Sequence, residues 1–243
     1  AHLLQGGVAV SRLVLGLLHT AEAHRARFER LLAELAPPNV GWVHSVREAL
    51  LRQALDTFPV NTIAAGIEAA VARLRSQGAQ QVLCTCSSVG GMAEQVGRQM
   101  GVPTLRVDRA MADAAVATGR RILVAACLPS TLGPTTQLLN EVAHAQNRRV
   151  EIETLLMENA WPLFQAGDED AFSRQIAAII LATRPRPEVI VLAQASMAPA
   201  AHWLRQSPVP VLSSPRLGVA AALRRLGAKE AASPNRIGQG RTA

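Results

Sequence analysis

Lysine is almost missing from this 243-residue chain: Lys229, near the C-terminus, is the only one, and the rest of the 25 basic residues are arginine. A pyridoxal phosphate enzyme needs a lysine for its Schiff base, and a Walker-type nucleotide site needs one for phosphate. A lone lysine in the tail serves neither, and Gly-rich nucleotide fingerprints are absent as well. Tyrosine is absent and aromatic residues make up only 3% of the chain, so there is no platform on which bases could stack. The formal charge of +7 is spread along the helices rather than grouped with aromatics, which reads as a solvated basic surface with no nucleic-acid partner. No stretch approaches the roughly 20 uninterrupted apolar residues of a membrane span, and the N-terminus lacks the charged-then-apolar order of a signal peptide. The expectation is a cytoplasmic protein that makes no membrane contact. Cys84, Cys86 and Cys127 are an odd number of thiols in a chain too large to need staples, which fits a reducing compartment.

What is present is apolar residue, 49% of the chain, in a pattern written twice. Residues 13–18 form the short apolar run of a buried strand, and residues 21–35 repeat apolar positions at helical spacing. Further strands are expected at 40–43, 82–85 and 104–107, with helices at 46–55, 60–74, 91–100 and 110–118. After Gly119 the order returns. Strands are expected at 122–126, 150–156, 189–193 and 209–212, and helices at 135–145, in two stretches ending at 181, at 198–205 and at 217–226. Cys86 and Gln194 stand 108 residues apart, and the Val-Pro pairs ending at Pro103 and Pro210 stand 107 apart, a steady offset that points to duplication. Strands alternating with long helices make parallel sheets covered on both faces. The expected fold is therefore α/β, with two pseudo-symmetric Rossmann-like lobes formed by residues 1–106 plus 209–243 and by residues 107–208. Ligands of such sheets sit beyond the carboxyl ends of the strands, here in the cleft between the lobes. The tail from Gly227 has no apolar period and is expected to fray.

The chemistry concentrates in residues 82–91, where a buried strand runs into hydroxyl residues, then glycines, then a helix. Cys86 falls at the strand's carboxyl end, and the amides that open the next turn suit a carboxylate. Cys84 shares a strand face with Cys86, and only position, nearer the cleft, selects the latter. The same residues are compatible with thiols that simply pack. A Cys-x-Cys metal site lacks a second ligand pair, so no metal is expected.

Residues 78–103, with a cysteine at the end of a parallel strand followed by small hydroxyl residues, resemble the first catalytic-cysteine segment of the aspartate/glutamate/hydantoin racemase superfamily. That superfamily includes glutamate racemase, maleate isomerase and arylmalonate decarboxylase. Residues 189–197, followed by 209–215, resemble the second such segment. The resemblance implies an isomerase without cofactor or metal that moves a proton at the carbon next to a carboxylate in a small amino acid or dicarboxylate. In such racemases two cysteines face opposite sides of the substrate carbon, one removing a proton as thiolate and the other returning one as thiol. Cys86 matches the first. The second falls on Gln194, which exchanges no proton near neutral pH. Cys127 lies at the end of a different strand. Two-base racemisation is therefore not expected, and Cys86 is read as the thiol of a one-sided isomerase, decarboxylase or cis-trans isomerase. A carboxylate-binding protein without turnover is the competing class.

By position, Ser87 and Ser88 resemble the residues that hold one carboxylate, with Ala195 and Ser196 in the mirror position. His19 and Thr20 end the first strand, Ser130, Thr131 and Thr135 follow the fifth, and Ser213 ends the last. All are candidates for substrate contact. Small hydroxyl residues also cap helices, the alternative for Ser196 and Thr135. Asp108 reads as a cap, and residues 167–170 as an acidic helix start. A homodimer is expected for this architecture.

Overall fold

The computed structural model describes residues 13–56, 60–183 and 187–227; the tail beyond Gly227, including Lys229, lies outside them. The first lobe runs through β1 (Leu13–His19), α1 (Glu22–Leu35), β2 (Val40–Val46), α2 (Glu48–Leu55), α3 (Val60–Ser76), β3 (Gln81–Cys84), α4 (Ser87–Gln99) and β4 (Thr104–Arg106). Its four strands pair in the order β2-β1-β3-β4, all parallel. The second lobe runs through α5 (Arg109–Thr118), β5 (Arg121–Ala126), α6 (Pro129–Ala145), β6 (Glu151–Leu156), α7 (Trp161–Gln165), α8 (Glu169–Ala182), β7 (Val189–Leu192), α9 (Ala200–Trp203) and β8 (Val211–Ser213). It repeats the arrangement as β6-β5-β7-β8, again parallel. The last helix, α10 (Ser214–Arg225), follows.

Every residue of β3 and β7 is buried, which is why 82–84 and 189–192 read as apolar runs rather than alternating ones; the one polar member, Gln81, donates to Ala222 O. The edge strand β6 shows the opposite pattern. It exposes Glu151 and Glu153, charges that discourage edge-to-edge pairing. Among the described residues no helix is long and apolar enough to cross a membrane.

Among the boundaries that differ from the sequence pattern, three move a residue relative to the site. Helix α4 begins at Ser87 rather than 91, and α6 at Pro129 rather than 135, because two connecting residues are enough to turn strand into helix. The second of each pair is extended: Cys86 (φ −115°, ψ 119°) and Leu128 (φ −123°, ψ 130°). Proline suits the first turn of α6, where its missing N–H costs nothing. Strand β2 extends to Val46, which pairs with His19, so the helix expected from 46 starts at Glu48.

The lobe division also shifts. Residues 209–212 were assigned to the first lobe, yet β8 pairs with β7, so the chain returns to the first lobe only at α10. There Val219, Ala222 and Leu223 pack against Leu15, Leu17, Phe28 and Leu32. The return needs a close approach, since a Cβ at Gly218 would lie 2.4 Å from the Val107 carbonyl oxygen. Gly218→Ala is expected to lower stability by about 1–3 kcal/mol in urea unfolding, because backbone cannot yield as a flexible side chain does.

Between β4 and α5 the chain buries an ion pair. Arg106 Nε and Nη2 donate to the two Asp108 carboxylate oxygens at 2.6 and 2.9 Å, and Nη2 also donates to Pro134 O in α6 at 3.2 Å. Asp108 stands at the head of α5 as expected, but its side chain makes no cap; the guanidinium takes both oxygens. Asp168 does cap α8, accepting from Ala171 N at 3.0 Å, as the acidic cluster implied.

Candidate active site

Equal strand order in the two lobes brings the carboxyl ends of β3 and β7 face to face. Ser87 Oγ, at the start of α4, donates to Ala193 O just after β7 at 2.9 Å, so the two turns touch. The cleft beside this contact has a cavity volume of about 60 Å³. Cys86, Ser87 and Ser88 line it from the first lobe, and Gln194, Ala195 and Ser196 from the second. Thr20 and Thr131 complete the set of expected residues on its wall.

Four candidates fall elsewhere. His19 sits behind the wall, hydrogen-bonded to Thr85. Ser130 reaches the site only through Ser88, its hydroxyl 3.3 Å away. Thr135 lies inside α6 because that helix starts six residues early; it is fully buried and its Oγ1 has no partner. Ser213 heads α10 and lines a separate hollow with Arg27, Arg30 and Arg216, because β8 sits at the sheet edge beyond β7.

The three thiols now separate. Cys84 is wholly buried with Sγ 3.7 Å from Cys86 O, and burial followed by the neighbouring Cys86 pushes its pKa well above the ordinary thiol range. Cys127 packs into the core with Met157 and Phe172, and burial pushes it up to about 12. Only Cys86 opens onto the cleft.

Gln194 occupies the equivalent place in the second lobe: extended (φ −113°, ψ 141°), following β7 and heading a 3-10 turn at Ala195–Met197. Its Oε1 accepts from the backbone of Cys127 at 2.5 Å and of Leu128 at 3.1 Å. Both partners are N–H donors, so the amide orientation is fixed. Its Nε2 has no hydrogen bond to any described residue, and remains a donor to the cleft.

The Asp/Glu/Hydantoin racemase family profile matches residues 18–222. The chain belongs to that family. Solved structures of similar fold include aspartate racemase from Picrophilus torridus, at 13% identity and TM-score 0.66, with 90% of this chain and 96% of that one covered. Glutamate racemase from Campylobacter jejuni subsp. jejuni aligns at 14% identity and TM-score 0.70, covering 91% and 89%. A glycine-to-cysteine mutant of arylmalonate decarboxylase in a sulfate-associated form aligns at 18% identity and TM-score 0.57, covering 94% and 98%. No curated protein matches the sequence significantly.

In this racemase-family member the cleft also has a wall that sequence reasoning missed. His24 from α1 lines it, with Trp161 and Phe164 of α7, whose rings stack at 4.8 Å. The spacing of His24 and Phe28, one helical turn apart on the buried face of α1, was the available signal. Arg27, on the same helix, donates to Ala195 O at 2.7 Å and pairs with Glu169, tying the second-lobe turn to the first lobe. Among the described residues no three His, Cys, Asp or Glu side chains converge as a metal site.

Burial holds two histidines neutral. His19 is lowered to about 3, by burial and then by His44; His24 is lowered to about 4, by burial and then by Arg27. In the unfolded chain both protonate near 6.5, so between those values the unfolded state binds more protons and stability rises with pH. Their contribution is complete above about pH 6.5 and is lost as pH falls below it. Urea unfolding at pH 7.5 and 5.0 is expected to show a loss of about 2 kcal/mol per histidine. His24→Gln should remove about half of that dependence.

Proposed function

We propose that the chain is a cofactor-independent enzyme that moves a proton at the carbon beside a carboxylate of a small amino acid or dicarboxylate, with Cys86 as its proton-handling thiol. One observation carries the reading: Cys86 and Gln194 hold equivalent places at the ends of β3 and β7 and line the same cleft, one able to exchange a proton and the other not. The Cys86 thiolate takes a proton from the substrate carbon, or as thiol gives one to an enolate carbon formed by isomerisation or loss of CO2. Negative charge then builds on the carboxylate oxygens. Backbone N–H groups at the start of α4, the Gln194 amide and whichever of the Ser88 and Thr131 hydroxyls does not donate in the 3.2 Å bond between them are the donors available to it.

The Ser87 hydroxyl is not among these donors, because its hydrogen is engaged by Ala193 O. Ser87 therefore contributes its backbone N–H and the bridge between lobes. The aromatic wall keeps water from the carbanion, and the small volume limits the ligand to a few carbons beyond its carboxylate. PLP-independence follows from the same scheme, since the thiol and the fixed dipoles supply what a cofactor otherwise would.

The test is incubation in heavy water with a panel of amino acids, dicarboxylates and arylmalonates, read by NMR and mass spectrometry. Deuterium incorporation or CO2 release by at least one member, lost after Cys86 is alkylated, is the expected result. Tight carboxylate binding with no turnover of any member would refute the enzymatic reading.

A further inference from the structure

Behind the cleft a file of hydrogen-bonded side chains runs from the surface to the wall. Trp42 Nε1 and His44 Nε2 both approach Glu29 Oε2, at 3.0 and 2.7 Å. His44 Nδ1 lies 2.8 Å from His19 Nε2, and His19 Nδ1 lies 2.8 Å from Thr85 Oγ1. Thr85 stands between Cys84 and Cys86 and lines the cleft, while Glu29 is half exposed at the other end. The proton chemistry assigned to Cys86 uses none of these five residues.

The direction of each bond follows from the carboxylate. An ionised Glu29 can only accept, so His44 Nε2 carries a hydrogen. Where His44 is the neutral imidazole, its Nδ1 is then an acceptor, and His19 donates to it from Nε2. Burial keeps His19 neutral, so its Nδ1 is also an acceptor, and the Thr85 hydroxyl donates to it. The other acceptor within reach, Leu18 O at 3.2 Å, is farther away and already takes the Thr85 backbone N–H. The single hydroxyl hydrogen of Thr85 therefore points away from the cleft, leaving lone pairs for a ligand.

We propose that the Glu29–His44–His19 file fixes Thr85 Oγ1 as a hydrogen-bond acceptor on the cleft wall, making Thr85 a specificity-determining residue that selects carboxylates with an N–H or O–H donor beside the reacting carbon. This rests on the reading of the cleft as a carboxylate site. A hydroxyl free to rotate serves donors and acceptors alike, whereas one locked as an acceptor leaves a lone pair desolvated and unpaired when the ligand lacks a donor. Glu29, His44 and His19 are positioning residues, acting through Thr85.

Two measurements at pH 8.5 decide it. Nitrogen-15 NMR of histidine-labelled protein should find both His19 and His44 as the Nε2–H tautomer; a hydrogen on His19 Nδ1 overturns the proposal. Calorimetric binding of aspartate against succinate, and glutamate against glutarate, is then compared in wild type, Thr85→Val, Thr85→Ser and Glu29→Gln. Wild type should favour the amino-bearing member of at least one pair by about tenfold, the worth of one good hydrogen bond to a charged donor. That ratio should fall towards one in Thr85→Val, survive in Thr85→Ser and drop part-way in Glu29→Gln. A merely structural role for Glu29 would weaken both members alike and leave the ratio unchanged. Binding with equal ratios in wild type and Thr85→Val overturns the selectivity alone; no binding by any member overturns the carboxylate reading and the selectivity with it.

Discussion

Cys86→Ala is expected to slow deuterium exchange into the substrate by about 10²–10⁴-fold, the range over which a positioned acid-base group contributes. The substitution isolates chemistry from folding unusually well. The Cys86 side chain makes no hydrogen bond among the described residues, and its backbone oxygen, which accepts from Cys84 Sγ, is retained by alanine. Affinity for the same ligand, measured by calorimetry, should change by no more than a few fold, because the carboxylate donors lie on α4, α6 and Gln194. Cys127→Ala serves as the control. That thiol lies in the core beneath β5, so its loss is expected to reduce stability and leave the exchange rate per folded molecule unchanged. Equal loss of activity in the two variants would mean that packing, not the Cys86 thiol, had been measured.

Asp108→Ala is expected to cost about 3–5 kcal/mol of unfolding free energy in a urea titration, the largest stability loss among the substitutions considered. Asp108 is wholly buried and the Arg106 side chain nearly so, so removing the carboxylate leaves a guanidinium in a low-dielectric environment with the Pro134 carbonyl as its remaining hydrogen-bond acceptor and only the Glu94 carboxylate nearby to offset its charge. Removing both partners should be milder. Arg106→Met combined with Asp108→Leu takes away the charges together, and recovery of more than half of the single-mutant loss is the expected outcome. A single-mutant loss below about 1 kcal/mol would show that water already reaches the pair.

The sequence carried the architecture because parallel strands buried on both faces must be apolar throughout, as 82–84 and 189–192 are, and because the repeat offset placed Cys86 opposite Gln194. It was weaker wherever one residue's conformation decided the outcome. Hydroxyl residues and glycines after 86 read as a loop, whereas Thr85 and Cys86 alone make the connection and Ser87 already belongs to α4. The same economy at Leu128 drew Thr135 into the interior of α6, away from the cleft. Ser213 failed for another reason. Strand order across the sheet, which no local pattern encodes, sets β8 outside β7 and its end outside the cleft. His24, Trp161 and Phe164 were passed over because an apolar face is legible as buried but not as lining a cavity. The Glu29–His44–His19–Thr85 file joins α1, β2, β1 and the turn after β3, so only the folded arrangement reveals it.

The central claim is that one thiol, unopposed by a second, faces the substrate carbon. The most direct test follows the stereochemistry of an enantiopure substrate identified in the exchange panel, incubated in heavy water and analysed by chiral chromatography with mass detection. Deuterium should enter with retention, leaving the opposite enantiomer below about 1% of the exchanged product, since the Gln194 amide is far too weak an acid to deliver a proton to the carbanion from the far face. Formation of the deuterated opposite enantiomer as fast as exchange itself would show a second acid in the cleft and contradict the one-thiol site.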